Sequence, residues 1–165
     1  MLLKVFNEGI IYLNKNMKDC VFCKIAKGEI PSYKIYEDKN YLAILDRYPN
    51  TKGMTLVIPK KHIESYAFDM KKKDYVDLLL VAKKVGKKLD KAFGTYRTAL
   101  VLEGTEIDHV HVKLYPLYGM DSKSQQIVMN NPTFFNKYVG YLTTQHGPQA
   151  SDNELKRIAK IILDA

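Results

Sequence analysis

The sequence predicts an α+β domain built on an antiparallel sheet of about five strands. Three observations predict it. Short apolar or alternating runs recur between turn residues, which marks strands. One long central stretch shifts to a 3.6-residue apolar period, which marks a helix between the third and fourth strands. A Ser151-x-x-Glu154 capping box opens a second helix near the C-terminus. The 165 residues suit one domain. A chain of this length buries roughly 68–70% of its unfolded surface and needs no disulfide staples. We divide it into an N-terminal extension over 1–16, a central domain over 17–120, and a C-terminal loop and helix over 121–165 packed on the same domain.

Residues 1–16 are weakly patterned and read as an appendage, or as a short helix or strand packed on the domain. Lys24–Gly28 has room for one helical turn before Pro31. Tyr33–Glu37 alternates between faces, and Asp38-Lys39-Asn40 turns the chain into Tyr41–Leu45. Pro49, Asn50 and Gly53 mark a loop before the apolar strand Met54–Ile58, which Pro59 ends. Tyr75, Leu78, Leu79, Ala82, Val85, Leu89 and Phe93 form one stripe of the long helix. Lys83, Lys84, Lys87, Lys88 and Lys91 take its other face, and Gly94 closes it. Two further strands follow at Thr98–Leu102 and His109–Tyr115. Leu155, Ile158 and Ile162 give the last helix its apolar stripe.

The chain carries 26 Lys and Arg against 18 Asp and Glu, a net charge of +8, with a pI near 9.3. That balance fits either an anionic partner or a solvated basic surface. Nucleic acid stays open as a partner through the lysine face. The 12 scattered Tyr and the absence of Trp supply no aromatic–basic recognition motif. No run approaches 18 apolar residues, so no membrane span is expected. No secretory signal is legible, so the expected compartment is the cytoplasm, with reduced thiols.

The two cysteines, Cys20 and Cys23, form one Cys-x-x-Cys. In a reducing compartment this is a metal half-site or a redox pair. With His62 and His109 it completes a Cys₂His₂ inventory, which zinc binds tetrahedrally. Four protein ligands close such a site and make it structural, the cysteines lying on one hairpin. His109, His111 and Lys113 fall on one side of the predicted strand, with Val110, Val112 and Leu114 on the core side.

The order of motifs then resembles the histidine triad (HIT) superfamily of nucleotide hydrolases and transferases. The motifs are Asp19-Cys20-Val21-Phe22-Cys23-Lys24-Ile25, Gly28-Glu29-Ile30-Pro31-Ser32, Tyr36-Glu37-Asp38 and Leu42-Ala43-Ile44-Leu45-Asp46. After them come Leu56-Val57-Ile58-Pro59-Lys60-Lys61-His62-Ile63 and His109-Val110-His111. The resemblance covers residues 18–118. It implies a HIT-like fold, a homodimer, and a zinc ion on Cys20, Cys23, His62 and His109. It further implies that His111 is the nucleophile that attacks the α-phosphorus of a nucleotide or dinucleoside polyphosphate, forming a nucleotidyl-histidine. Asp46 matches the carboxylate on the ribose hydroxyls. Val21, Phe22 and Ile25 match the wall around the base, with Ile44 and Leu45 joining the nucleotide-binding set. Phe22 and Ile25 are equally readable as core.

Two departures stand out. Lys113 replaces the third triad histidine. Its ammonium is expected to reach phosphate oxygens but to be a poor proton donor, favouring leaving groups such as pyrophosphate. The stretch Leu102–Asp108 lacks the family's Gln and Ser and brings Glu106 and Asp108 near the phosphate site. The loop Gly140–Pro148, with His146, folds over the pocket or simply leads into the last helix. The implied activity is hydrolysis or nucleotidyl transfer through His111. The competing reading is a nucleotide-binding module with reduced turnover.

Overall fold

The computed structural model describes residues 20–123, the backbone of 5–6 and 9–10, and residues 136–137. The expected loop over 140–148 and the C-terminal helix lie outside the described residues. The chain separates into two compact units, Met1–Lys123 and Ser124–Ala165. All described helices and strands belong to the first.

Within the N-terminal extension, β1 (Val5–Phe6) and β2 (Gly9–Ile10) pair antiparallel, Val5 opposite Ile10. Helix α1 (Val21–Lys27) follows Cys20 directly. It is longer than the single turn expected after Lys24. Gly28 ends it at φ 80°, a left-handed conformation that glycine adopts without strain. Its N–H donates to the Ile25 carbonyl at 3.0 Å.

The main sheet is antiparallel throughout, in the order β3-β4-β5-β7-β6. Its strands are β3 (Lys34–Glu37), β4 (Tyr41–Leu45), β5 (Thr55–Pro59), β6 (Arg97–Val101) and β7 (Val112–Leu117). Asp38 builds the β3–β4 turn: one carboxylate oxygen accepts the N–H groups of Asn40 and Tyr41, each at 2.8 Å. Helix α2 (Lys72–Phe93) lies between β5 and β6 in sequence, as expected for an α+β domain. Among the described residues, no helix is long and apolar enough to cross a membrane.

Strand alternation gives the sheet two covered faces. Tyr41, Ala43, Val57, Val110, Val112 and Leu114 pack against Leu78, Ala82, Val85 and Leu89 of α2. Each fully buried Leu or Val here contributes about 1.5–3 kcal/mol. Tyr75, Leu79 and Phe93 lie only partly buried at the margins of that stripe, while Lys83, Lys84, Lys87, Lys88 and Lys91 are exposed. Two of these lysines nonetheless have partners. Lys88 donates to the Ile35 carbonyl at 2.5 Å, and the Lys84 ammonium sits 4.7 Å from the Tyr36 ring centroid. On the opposite face, Leu42, Ile44, Leu56 and Ile58 pack against Cys20, Phe22, Cys23 and Ile25.

The expected strand over His109–Tyr115 begins later, at Val112. His109 and His111 therefore sit in the connection that leads into β7. The Val110 N–H bonds to Ile63 at 2.8 Å instead of joining the sheet ladder. Val110, Val112 and Leu114 do take the core face, as their spacing predicts. The histidine side is just as buried, His109 at 0% exposure and His111 at 4%, because α1 covers it.

The connection 102–111 is fastened to the segment after His62. Asp108 Oδ1 accepts the Ser65 N–H at 2.9 Å, and Gly104 passes against Ser65. A Cβ at Gly104 would lie 2.5 Å from the Ser65 carbonyl oxygen, and its φ is 69°. Gly104→Ala is therefore expected to destabilise the domain by about 2 kcal/mol or more, through strain and displacement of the latch. Urea unfolding measures it, and a loss below about 0.5 kcal/mol would contradict the close approach.

Candidate functional site

Two pairs of residues meet beneath α1. Cys20 precedes the first helical residue and Cys23 stands in the first turn, so the helix, rather than the expected hairpin, brings the two sulfurs together. His62 comes from the chain leaving β5 and His109 from the approach to β7. The Cys20 Sγ–His109 Nδ1 separation is 3.3 Å, Cys23 Sγ–His62 Nδ1 is 3.4 Å and Cys23 Sγ–His109 Nδ1 is 3.5 Å. All four donor atoms lie within 4.8 Å of one another. Sulfur and nitrogen on one tetrahedral ion stand about 3.5 Å apart, given zinc bond lengths of about 2.3 and 2.0–2.1 Å. The cluster thus has the spacing and the chemistry to hold a metal ion.

The protonation of His109 supports this. Its Nε2 lies 2.9 Å from the Pro59 carbonyl oxygen. A carbonyl can only accept, so Nε2 carries the hydrogen and Nδ1 turns its lone pair toward the sulfurs. Burial pushes the His109 imidazole down to about 4. Burial also pushes the Cys23 thiol up to about 11, and Cys20 beside it adds to the rise. The neutral imidazole is ready to ligate. The thiol needs a cation to ionise, which is what a metal supplies.

His111 is fixed by the same residue. Its Nδ1 lies 2.8 Å from the His109 carbonyl oxygen and so carries the hydrogen. That leaves Nε2 with a free lone pair. Burial lowers the His111 pKa, and the nearby Lys113 charge adds to this. The His109 hydrogen bond and the carboxylates of Glu106 and Asp46 oppose it. The Phe22 ring stands edge-on to both imidazoles, with centroids 5.7 Å from His109 and 5.2 Å from His111.

The remaining expected residues divide. Phe22, Ile25 and Ile44 are buried on the histidine-bearing face, and Val21 packs at its margin. Leu45, one residue after Ile44, points the other way and is 37% exposed. Asp46 follows β4; its Oδ1 accepts the Tyr48 N–H at 2.7 Å, which holds the carboxylate in a turn. Asp108, expected near a phosphate, is instead engaged by Ser65.

Lys113 carries the largest surprise. Its ammonium stands 3.0 Å from Glu103 Oε2, so it is already paired where a phosphate was expected to meet it. Burial alone lowers the Lys113 pKa, but the Glu103 hydrogen bond and charge more than reverse this, and the lysine stays cationic. Sequence reasoning missed Glu103. The available signal was register: Val101 pairs with Lys113, and Glu103 lies two residues beyond Val101.

Known proteins share this architecture. An uncharacterised HIT-like protein of Borreliella burgdorferi is 40% identical over 112 residues, spanning 64% of this chain and 80% of that protein. Adenosine 5'-monophosphoramidase HNT1 of Saccharomyces cerevisiae is 39% identical over 111 residues, 66% of this chain and 68% of the yeast protein. In structure, SMU.412c from Streptococcus mutans superposes with a TM-score of 0.66 at 28% identity, covering 99% of this chain and 98% of the other. A HIT family hydrolase from Clostridium thermocellum gives a TM-score of 0.56 at 29% identity, covering 67% and 100%. The HIT domain signature spans residues 27–120, more than half of the chain, and on that extent of agreement the protein belongs to the HIT family.

Proposed function

We propose that this protein cleaves or transfers a nucleoside 5'-monophosphoryl group through His111, beside a structural zinc ion on Cys20, Cys23, His62 and His109. One observation carries the reading most. The His111 Nδ1–H is committed to the His109 carbonyl, which turns the unprotonated Nε2 out as a nucleophile. Attack by Nε2 on the α-phosphorus forms a P–N bond as the P–O or P–N bond to the leaving group breaks. Water or another acceptor then releases the nucleotide and restores the imidazole.

The pocket follows from the same face. Phe22, Ile25, Ile44 and Val21 offer an apolar wall for a base, and Asp46 offers acceptors for ribose hydroxyls. Leu45 is left out, because it faces away. Nucleoside phosphoramidates are the favoured substrates, supported by relatives named adenosine 5'-monophosphoramidases in Saccharomyces cerevisiae and Schizosaccharomyces pombe. Dinucleoside polyphosphates form the second class. A homodimer belongs to the same reading, supported by the position of β6 at the sheet edge with Leu100 exposed.

The test is to mix the protein with adenosine 5'-phosphoramidate labelled in the phosphate and quench within milliseconds to seconds. Acid-labile, base-stable label on the protein, together with free labelled AMP, is the expected result. AMP binding with neither label nor turnover would favour the binding-module reading.

A further inference from the structure

Lys113 and Glu103 are both largely withdrawn from water, with side-chain exposures of 15% and 14%. Such a pair differs from a surface ion pair, which solvent loosens and salt screens. Parting its members leaves an unmatched charge in a desolvated place, which is strongly unfavourable. The ammonium charge is therefore matched before any ligand arrives.

The surroundings are acidic. Glu106 and Asp46 both act on the His111 imidazole. Glu103 and Asp46 act, with Lys113, on the Tyr115 hydroxyl, two residues further along β7. The buried Lys113–Glu103 pair thus shares its surroundings with the carboxylates of Glu106 and Asp46, whose charges reach His111. In the proposed reading the α-phosphate lies against the lone pair of His111 Nε2. A further phosphate beyond the first would bring added negative charge toward these carboxylates, while the Lys113 charge is already matched by Glu103.

We propose that Glu103 is a specificity-determining residue: by matching the Lys113 charge, it makes the site discriminate against polyanionic groups beyond the α-phosphate. The substrate class that follows is a nucleoside monophosphate bearing a neutral or cationic leaving group. Nucleoside di- and triphosphates and dinucleoside polyphosphates are disfavoured. This rests on the reading that a nucleotide phosphate binds at His111, and it replaces the expected pyrophosphate preference. That expectation took the lysine charge as available, and Glu103 takes it up.

Equilibrium binding of unreactive AMP and ADP, by calorimetry without added magnesium, tests it. Wild type is expected to bind AMP at least tenfold more tightly than ADP. Glu103→Gln, which keeps the shape and removes the charge, should shrink that ratio to about threefold or less by strengthening ADP binding. Glu103→Asp should retain most of the preference. Raising salt on the wild type should also narrow the gap, which keeps the proposal testable if the Gln variant folds poorly. Equal or tighter binding of ADP by wild type, or an equal loss for both ligands in Glu103→Gln, overturns the role of Glu103 and leaves the nucleotide reading intact. No binding of either nucleotide overturns both.

Discussion

Removing the metal proposed for Cys20, Cys23, His62 and His109 is expected to lower the melting temperature by about 10 °C or more, or about 3 kcal/mol for a domain of this size. The cause lies in what the ion holds together. Its four donors come from α1, from the chain after β5 and from the approach to β7, and three of them are buried. Without a cation, a thiol raised to about 11 and a buried neutral imidazole are held together only by weak S–H···N hydrogen bonds. Cys23→Ser should reproduce the loss, since metal-binding free energy is also folding free energy. Calorimetry with and without chelator measures it, and elemental analysis of untreated protein should find about one zinc per chain. Unchanged melting after verified metal loss would refute the structural role.

Acid should act in the same direction. The folded His109 pKa of about 4 lies below the ordinary 6.5, so the unfolded chain binds a proton in that window and the folded chain does not. Stability of the metal-free protein therefore falls as pH drops from about 6.5 to about 4, by about 3 kcal/mol at most. With metal present, protons also compete for the ligands.

His111→Ala is expected to reduce turnover of adenosine 5'-phosphoramidate by about 10³-fold or more, with the AMP dissociation constant changed less than about threefold. In the proposed reading the two effects separate because Ile25 and Ile44 are packed in the core and the Asp46 carboxylate is held by the Tyr48 N–H, none of them through the imidazole. The variant also loses the edge contact with Phe22, a small packing cost. Steady-state kinetics paired with calorimetric AMP binding gives both numbers. Turnover within tenfold of wild type would move the nucleophile to another residue.

Much of the fold was legible because period and turn chemistry agreed. Asp38 both ends β3 and opens β4, and the α2 stripe through Leu78, Ala82, Val85 and Leu89 is the one its spacing predicts. The gathering of Cys20, Cys23, His62 and His109 was legible from residue types together with motif order. Spacing alone was weak, since the ligands come from three separate segments. The start of β7 was misplaced because Val110 and Val112 alternate as a strand would, while the Val110 N–H bonds outside the ladder. The partner of Lys113 was hidden for a different reason. Glu103 lies across a loop, and only strand register brings the two together. The orientation of His109 by Pro59 was likewise invisible, because a backbone carbonyl leaves no mark in a side-chain pattern.

Strand β5 carries a consequence for how such a protein can change. Val57 lies in the interior shared with α2, while its neighbours Leu56 and Ile58 lie in the interior shared with Phe22 and the cysteines. Pro59, at the end of the same strand, offers its carbonyl to His109. Three consecutive residues, Leu56, Val57 and Ile58, thus serve two separate interiors by turns. Drift at position 57 falls first on the packing against α2. Drift at 56 or 58 reaches the groups proposed for chemistry. A change at 57 is therefore expected to register first in heat tolerance, and a change at 56 or 58 first in the handling of a metal or nucleotide.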